Sequence, residues 1–478
     1  AEALLAAYLA HGPARAAAEL QGSFNVAWWS PGDRKLTLAN DRLGYRPLYV
    51  ARHRTGLLFA SHLAQLAAAG LVDPAPNPAA LAELLAANSL IGDHTAFENV
   101  EVLGPATVLE CDGVTVQSSR YWRPDEVEVR GRYDRRRLRQ LEESFAEACD
   151  RVAGPGRVGI ALSGGLDSRC MIAAADAACD GVESFTEGPS ESHDFRLAVR
   201  VASELDMPHR RVEIREELIP SYLEPAALLL GGNCASLEIH PCHHFLEPEL
   251  GFDRILVGLV GEYARAAYPR PIDYQRPTFD TLVRRVGKKV LTRGRPGRRP
   301  AELWLPECAD FADRPAERLE EALRAYAWQE TPLDAADYYY LDHRGRRLLA
   351  KGPTLGRLGT EAVSPYLEPG WVEQVLSVPT SDRLRNRIQL DITECFSPPL
   401  RKIPCTAPPA YATIRGERIG ELTRKWRKRL SRGGKPDSPA FDVVGWSRGV
   451  LRPALEDVLY APDARFREFL QWDIVRHR

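Results

Sequence analysis

The sequence predicts an α/β protein with a β-rich N-terminal domain over residues 1–125 and a doubly wound, parallel-sheet domain over residues 126–478 that ends in a helical part. Three observations lead to this prediction. The chain has 478 residues, too many for one ordinary core. Its first quarter alternates short β-rich runs with turn signals, whereas the next part alternates β-rich runs with helical periods. The change falls in a charged segment, residues 125–132, which is interpreted as a linker.

In the N-terminal domain, turn residues separate short apolar runs that are typical of strands. The predicted strands cover residues 23–29, 35–39, 47–51, 56–60, 107–111 and 114–118. The third and fourth form a predicted hairpin, and the last two form another that turns at Asp112-Gly113. Helices are predicted over 2–9 and 78–87. Because the chain starts at Ala1 inside a predicted helix and without methionine, we expect the natural N-terminus to lie upstream.

The C-terminal domain begins with a predicted helix over 135–152. Four β-rich runs follow, over 157–162, 182–186, 211–214 and 254–259, and helical periods over 168–178 and 194–205 separate the first three. Strand-helix-strand alternation predicts a parallel sheet, on which ligands bind beyond the carboxyl ends of the strands. From residue 334 onward we predict helices with proline-rich connections.

The composition bears on nucleic-acid binding, membrane insertion and redox environment. The net charge of -2 gives no general attraction to nucleic acid, and no apolar run approaches the roughly 20 residues that cross a bilayer. The nine cysteines contain no CxxC pair, so we expect a reducing cytoplasm rather than a disulfide framework.

One loop carries the chemistry. The predicted strand ending at Leu162 runs into Ser163-Gly164-Gly165-Leu166-Asp167-Ser168, and a helix starts directly after it. Glycines let backbone N–H groups reach an anion, and a helix N-terminus adds N–H donors and partial positive charge. A carboxylate in such a place predicts Mg²⁺ between Asp167 and phosphate oxygens. The loop is not of the GxxxxGK[ST] type.

These residues resemble the pyrophosphatase-type loop of the asparagine synthetase family, whose members adenylate a carboxylate and release pyrophosphate. Glu191-Ser192-His193-Asp194 and the stretch 256–262 resemble further segments of the family. The resemblance implies ATP and Mg²⁺ as cofactors and Asp167 and Glu262 as the Mg²⁺ ligands. The nucleotide contacts that it implies are Leu162, Ser163, Gly164, Gly165, Leu166, Asp167, Ser168, Thr186, Gly188, Gly258, Gly261 and Arg265.

The N-terminal domain resembles the family's glutaminase domain, which has the fold of N-terminal-nucleophile hydrolases. The signatures are Leu20-Gln21-Gly22-Ser23-Phe24 and the stretch from Asp41 to Tyr49. In the family an N-terminal cysteine hydrolyses glutamine. Because residue 1 is alanine, we expect this domain to be inactive or incomplete at its start, and the chain as given to hydrolyse no glutamine.

The C-terminal domain departs from the family where a catalytic lysine is expected. Lys402 is the lysine near that segment, and a predicted helix carries Arg344 and Arg347 one turn apart. We predict catalytic roles for all three, with loss of either arginine slowing amide formation more than loss of Lys402. The arginine helix and the segment ending in Ile403-Pro404 resemble lasso peptide cyclases and related tailoring enzymes.

The substrate therefore stays open at this stage. A carboxylate-bearing substrate, for instance a precursor peptide served by a leader-binding or protease partner, is expected; a glutamine-dependent asparagine synthetase and a non-catalytic nucleotide-binding regulator are the alternatives. A zinc site at Cys234, His240, Cys242, His243 and His244 is disfavoured because the spacing matches no common site. Solvated surface segments are preferred for the basic runs 284–299 and 415–432.

Overall fold

The computed structural model describes residues 2–54, 56–179, 181–234, 250–291, 300–356, 359–405 and 443–476. Residues 240–244 of the disfavoured zinc cluster, the basic segment 415–432 and residues 292–299 of the other basic run lie outside these ranges. Within them the chain forms two β-sheet regions joined by an extensive contact.

The N-terminal domain consists of two antiparallel sheets and short helices. Its strands are β1 (Asn25–Ser30), β2 (Lys35–Asn40), β3 (Tyr49–His53), β4 (Gly56–Ala60), β5 (Glu101–Val102), β6 (Thr107–Cys111) and β7 (Val116–Arg120). They assemble in the orders β1-β2-β6-β7 and β4-β3-β5. Its α-helices are Glu2–His11, Pro13–Glu19, Leu63–Ala68 and Pro78–Ala87. Both predicted hairpins are confirmed, with boundaries that differ by two residues at most.

The C-terminal domain contains one parallel sheet of five strands. These are β8 (Val158–Ala161), β9 (Val182–Glu187), β10 (His209–Val212), β11 (Arg254–Val257) and β12 (Glu361–Val363), in the order β10-β9-β8-β11-β12. The run predicted over 211–214 starts two residues earlier, and β11 ends two residues before the predicted strand. β12 lies in the region that was predicted to be helical; three residues are too few for a recognisable alternation, so only pairing with β11 reveals it.

Helices cover both faces of this sheet and form the C-terminal part. The α-helices are Arg135–Ala153, Leu166–Ala178, His193–Glu204, Ile219–Leu230, Phe279–Val290, Arg314–Arg324, Ala335–Tyr339, Lys351–Leu355, Pro369–Leu376, Thr380–Arg383, Arg387–Phe396, Val443–Arg448, Arg452–Tyr460 and Trp472–Arg476, with a π-helix at Tyr340–Leu349. The 3-10 turns are Pro124–Glu126, Glu216–Leu218, Gly261–Arg265, Pro271–Gln275, Pro300–Leu303, Pro306–Ala312, Pro332–Asp334, Pro365–Leu367, Leu384–Asn386, Leu400–Lys402 and Arg465–Glu468.

The segment interpreted as a linker is held against the C-terminal domain. Asp125 is buried and accepts from the backbone N–H of Ala327 at 2.9 Å. The N–H of Val129 donates to the side chain of Gln329 at 2.8 Å, and that of Arg130 donates to the carbonyl of Ser377, also at 2.8 Å. The segment that connects the two domains is therefore held in place by hydrogen bonds to the C-terminal domain.

Candidate active site at the switch point of the parallel sheet

The predicted loop lies where the strand order of the parallel sheet reverses. The sheet runs outward from β8 through β9 to β10 on one side, and through β11 to β12 on the other. The loop Ser163–Ser168 follows β8, and the turn that starts at Gly258 follows β11. In open α/β sheets this crevice, beyond the carboxyl ends of the two central strands, is where ligands bind.

The loop is shaped by its own hydroxyl groups. The Ser163 and Ser168 Oγ atoms lie 2.9 Å apart, and the N–H of Ser163 donates to Ser168 Oγ at 3.1 Å. The N–H of Gly165 donates to Ser163 Oγ at 3.1 Å. Gly165 has an ordinary φ of -77°, so it is needed here for space rather than for left-handed backbone: an added Cβ would lie 3.2 Å from Ser163 Oγ.

A carboxylate oxygen already accepts from the loop backbone. The N–H of Gly164 donates to Asp194 Oδ1 at 2.9 Å. Asp194 stands in the first turn of the helix His193–Glu204, which the Ser192 side chain caps. This contact shows that the loop presents a backbone donor to an anionic oxygen, as a phosphate site requires.

Two carboxylates and one guanidinium form the polar centre of the crevice. Arg265 Nη2 lies 3.1 Å from Asp167 Oδ2 and 3.7 Å from Glu262 Oε1. Gln389 Nε2 donates to Asp167 Oδ1 and to the carbonyl of Gly261, at 3.2 Å in both cases. Burial raises the pKa of Asp167 to about 6, although the charge of Arg265 opposes this shift.

Two buried tyrosines donate hydrogen bonds to the acidic residues, one to a carboxylate and one to a backbone carbonyl. The hydroxyl of Tyr340 donates to Glu262 Oε2, and that of Tyr366 donates to the Asp167 carbonyl at 2.8 Å. Burial raises the pKa of both tyrosines well above its usual value, so both hydroxyls keep the protons that they donate. These contacts and those of Gln389 were not predicted from the sequence, because each joins residues far apart in the chain.

Close backbone approach explains the glycines after β11. A Cβ on Gly258 would lie 2.9 Å from the Ser168 backbone nitrogen, and one on Gly261 would lie 3.0 Å from Asp167 Cγ. Between them Val260 adopts a left-handed φ of 68°, a strained conformation for a β-branched residue. The two glycines thus let the turn from β11 pack directly on the loop from β8.

The remaining predicted nucleotide contacts support the loop from the neighbouring strand. Thr186 Oγ1 donates to the Leu162 carbonyl at 2.6 Å, and the Gly188 N–H donates to the Val212 carbonyl at 3.1 Å. Leu162 and Leu166 are buried. Thr186 and Gly188 lie at and just beyond the end of β9, on the side of β8 opposite β11.

The donor set fits Mg²⁺. Asp167 and Glu262 offer hard oxygen ligands, and a cationic nitrogen of Arg265 stands between them. Within the described part of the chain, no three His, Cys, Asp or Glu side chains converge on one point. Two carboxylates suffice for Mg²⁺, because this ion takes its other ligands from water and substrate phosphates.

The two predicted arginines of the π-helix Tyr340–Leu349 donate to the N-terminal domain. Arg344 Nη1 donates to the Ala87 carbonyl at 2.9 Å and to Ser89 Oγ at 3.1 Å, and Arg347 Nη2 donates to the His94 carbonyl at 2.6 Å. Helical spacing placed both arginines on one face, as observed, but that face packs on the other domain. Gly345 between them approaches Val260 so closely that an added Cβ would lie 3.2 Å from its Cγ1.

Lys402 ends a 3-10 turn and its side chain is exposed. Leu400, at the start of this turn, is buried in the central core of the C-terminal domain. The structure therefore brings together Asp167, Glu262 and Arg265, whereas Arg344 and Arg347 donate to the N-terminal domain and Lys402 is exposed.

A cavity of about 690 Å³ lies between the two domains, apart from the phosphate loop. The N-terminal domain contributes the signature residues Gln21, Gly22, Ser23, Tyr45 and Arg46. The opposite wall consists of Arg151, Val152, Arg254, Pro353, Thr354, Gly356, Gly359, Glu361, Ala362, Val363, Ser364, Leu367 and Glu368. Ser364 Oγ donates to the Leu259 carbonyl at 2.8 Å, so this wall touches the turn that carries Glu262.

Helices long and apolar enough to span a bilayer are not found among the residues that the structure describes.

Comparison with protein families gives two matches: residues 1–122 match the glutamine amidotransferase domain family, and residues 140–393 match the asparagine synthase family.

A curated relative agrees with these matches. Over 210 residues the chain is 24% identical to the glutamine-hydrolysing asparagine synthetase 2 of Bacillus subtilis (strain 168), a match that covers 41% of this chain and 28% of that protein. The asparagine synthase match alone covers more than half of the 478 residues. Together with the α/β fold, a glutaminase-type N-terminal domain and a parallel-sheet C-terminal domain, it shows that the chain belongs to the asparagine synthase family.

Proposed function

We propose that this chain is an ATP- and Mg²⁺-dependent amide synthetase that activates a carboxylate as an acyl-adenylate, releases pyrophosphate and transfers the acyl group to an amine. The observation that carries the proposal is a cluster of three charged residues at the switch point of the sheet. In it, Asp167 of the phosphate loop lies next to Arg265, and Arg265 lies next to Glu262. The cluster supplies two anionic oxygens and one cation beside backbone donors, which is the charge pattern that a metal-bound polyphosphate needs.

The proposed role of each residue follows from its charge. The loop N–H groups and the Ser163 and Ser168 hydroxyls would bind phosphate oxygens, while Asp167 and Glu262 would hold Mg²⁺, which would neutralise phosphate charge. Arg265 lies within reach of both carboxylates, and a bound cation would replace it there and leave its guanidinium for the phosphates. Tyr340 keeps Glu262 oriented in either state.

The proposed reaction has two steps, and it needs no reactant beyond ATP, the carboxylate and the amine. A substrate carboxylate oxygen bonds to the α-phosphorus, the bond from this phosphorus to the bridging oxygen breaks, and pyrophosphate leaves. An amine next attacks the acyl carbon, AMP leaves with its electron pair, and the amine proton passes to solvent. The loop stabilises the charge that develops on the leaving pyrophosphate.

For the acyl substrate we propose an aspartate or glutamate side chain of a precursor peptide, as in lasso peptide cyclases or related tailoring enzymes. The support is the arginine helix and the segment that ends in Ile403-Pro404. A leader-peptide-binding or protease partner protein and a cytoplasmic location belong to the same proposal.

A second candidate is a glutamine-dependent asparagine synthetase, with free aspartate as acid and ammonia as amine. The cavity between the domains favours it, since its walls are the glutaminase-type signature on one side and the strand and helix beside Glu262 on the other. The match to the glutamine amidotransferase domain family and the glutamine-hydrolysing activity named for the Bacillus relative point the same way.

Exchange of labelled pyrophosphate into ATP tests both candidates. The purified chain is incubated with ATP, MgCl₂ and either L-aspartate or a peptide with an internal glutamate side chain and a free N-terminus. Stimulation by the peptide supports the tailoring assignment, and stimulation by free aspartate supports the asparagine synthetase. Tight ATP binding without exchange on any carboxylate would instead indicate a regulator and contradict the proposed activity.

A further inference from the structure

A buried cation lies directly behind the phosphate loop. Arg169 follows Ser168 on the helix Leu166–Ala178, and only 1% of its surface is exposed. Its Nη1 donates to the carbonyls of Leu400, at 3.3 Å, and Ile403; its Nη2 donates to that of Pro404 at 2.6 Å. All three acceptors belong to one short stretch, the turn 400–404, which also carries Lys402.

The charge of this guanidinium is offset by carbonyl dipoles. Within the described ranges, Arg169 forms no ion pair with a carboxylate, and its Nε is buried without a hydrogen-bond partner. Full burial of a charge that only neutral groups satisfy is costly, so additional negative charge nearby would be favourable.

The segment before the turn is also tied to the loop. The helix Arg387–Phe396 carries Gln389, which donates to Asp167 and to the Gly261 carbonyl. Leu400 and Ile403 pack in the central core of the C-terminal domain. Residues 389–404 are therefore fastened at both ends to the first turn of the helix that follows the phosphate loop.

We propose that Arg169 is a positioning residue that couples occupancy of the phosphate loop to docking of the turn 400–404, and so fixes the position of this turn and of Lys402 within it. The inference rests on the proposed nucleotide function. A polyphosphate on the loop places negative charge next to Ser168, one residue from Arg169. Its attraction for the buried guanidinium stabilises the arrangement in which Arg169 holds the turn, and docking of the turn strengthens nucleotide binding in return.

Hydrogen exchange followed by mass spectrometry tests this coupling without a carboxylate substrate. Exchange of the backbone amides in residues 397–405 is measured with and without ATP and MgCl₂, in the wild type, in Arg169→Met and in Arg139→Met. The last is the matched control, because Arg139 is exposed on the helix Arg135–Ala153. ATP affinity is measured for the same three proteins by titration calorimetry.

We expect ATP with Mg²⁺ to slow exchange of 397–405 in the wild type and in the control by a factor of about 3 or more. In Arg169→Met the turn should exchange roughly 10-fold faster, as expected for loss of a charge-assisted hydrogen bond, and ATP should no longer slow it. Because coupling is reciprocal, the factor by which ATP protects the wild-type turn should equal the factor by which Arg169→Met weakens ATP binding.

The possible results distinguish failure of the proposed function from failure of the coupling alone. A wild type that binds no ATP with Mg²⁺ contradicts the proposed function, and this inference with it. A wild type that binds ATP but whose turn exchanges at the same rate with and without it overturns the coupling alone, and this result needs no variant. Faster exchange throughout the parallel sheet in Arg169→Met, with ATP protection of the turn retained, would show a purely structural residue and also overturn the proposal.

Discussion

Replacing Asp167 by asparagine should stabilise the protein while abolishing activation of the carboxylate. Asp167 is partly buried, with 16% of its side chain exposed, and its pKa is raised from 3.8 to about 6 because desolvation outweighs the attraction of Arg265. A carboxyl group whose pKa is raised on folding favours folding when protonated and opposes it when ionised. Its cost is therefore absent below pH 3.8, grows between pH 3.8 and 6, and is complete above pH 6.

The size of this cost follows from the shift. At about 1.36 kcal/mol per pKa unit, an ionised Asp167 costs up to about 3 kcal/mol at pH 8 and about 1.5 kcal/mol at pH 5. Asparagine has nearly the same shape and no charge, so the variant avoids the cost. Arg265 keeps Glu262 as a partner, at 3.7 Å. The amide cannot replace an anionic ligand of Mg²⁺, so pyrophosphate release should fall by at least about 100-fold, as when an electrostatic catalytic group is removed.

Urea denaturation at pH 8 and pH 5 measures the first effect, and pyrophosphate release at saturating ATP and ordinary Mg²⁺ measures the second. Asp176→Asn is the matched control, because Asp176 is exposed on the same helix; it should change stability by less than about 0.5 kcal/mol. A variant at position 167 that is less stable than the wild type at pH 8, or that releases pyrophosphate at a near-normal rate, would refute the reasoning.

Three further variants probe the surroundings of the loop. Gly258→Ala forces a Cβ to within 2.9 Å of a loop backbone nitrogen; we expect at least about 10-fold weaker ATP binding by calorimetry, whereas Gly370→Ala, where nothing lies within 4 Å, should leave affinity unchanged. Tyr340→Phe removes the hydrogen bond to Glu262 and should raise the Mg²⁺ concentration for half-maximal pyrophosphate release about 10-fold; an unchanged Mg²⁺ dependence would contradict this role. Arg347→Met should leave ATP affinity within about 3-fold of wild type, because Arg347 donates to the His94 carbonyl of the N-terminal domain; a selective loss of ATP affinity would support the catalytic role predicted from the sequence.

The parts of the fold that local pattern determines could be predicted from the sequence. The loop and its helix are specified by adjacent glycine, hydroxyl and acidic residues, and β8 and β9 by short β-rich runs of the right length. β12 escaped prediction because three residues contain no usable period, and its partner β11 lies about a hundred residues earlier.

The site is harder to predict for the same reason. Asp167, Glu262 and Arg265 could be named from motifs, but Gln389 and Tyr366 reach Asp167 from roughly two hundred residues downstream. Periodicity also tells which residues share a face without telling what the face meets. The arginine helix shows this, because its guanidinium groups donate to carbonyls of the N-terminal domain, which periodicity alone could not indicate.

Transfer of oxygen from the carboxylate to AMP is the most direct test of the central claim. A substrate that stimulates pyrophosphate exchange is prepared with ¹⁸O in the carboxylate and turned over with ATP, MgCl₂ and the amine. The account predicts that one ¹⁸O atom per amide formed appears in AMP and none in pyrophosphate, because the carboxylate oxygen bonds to the α-phosphorus. ADP and labelled inorganic phosphate as products would show attack at the γ-phosphorus and contradict the proposed chemistry of this loop.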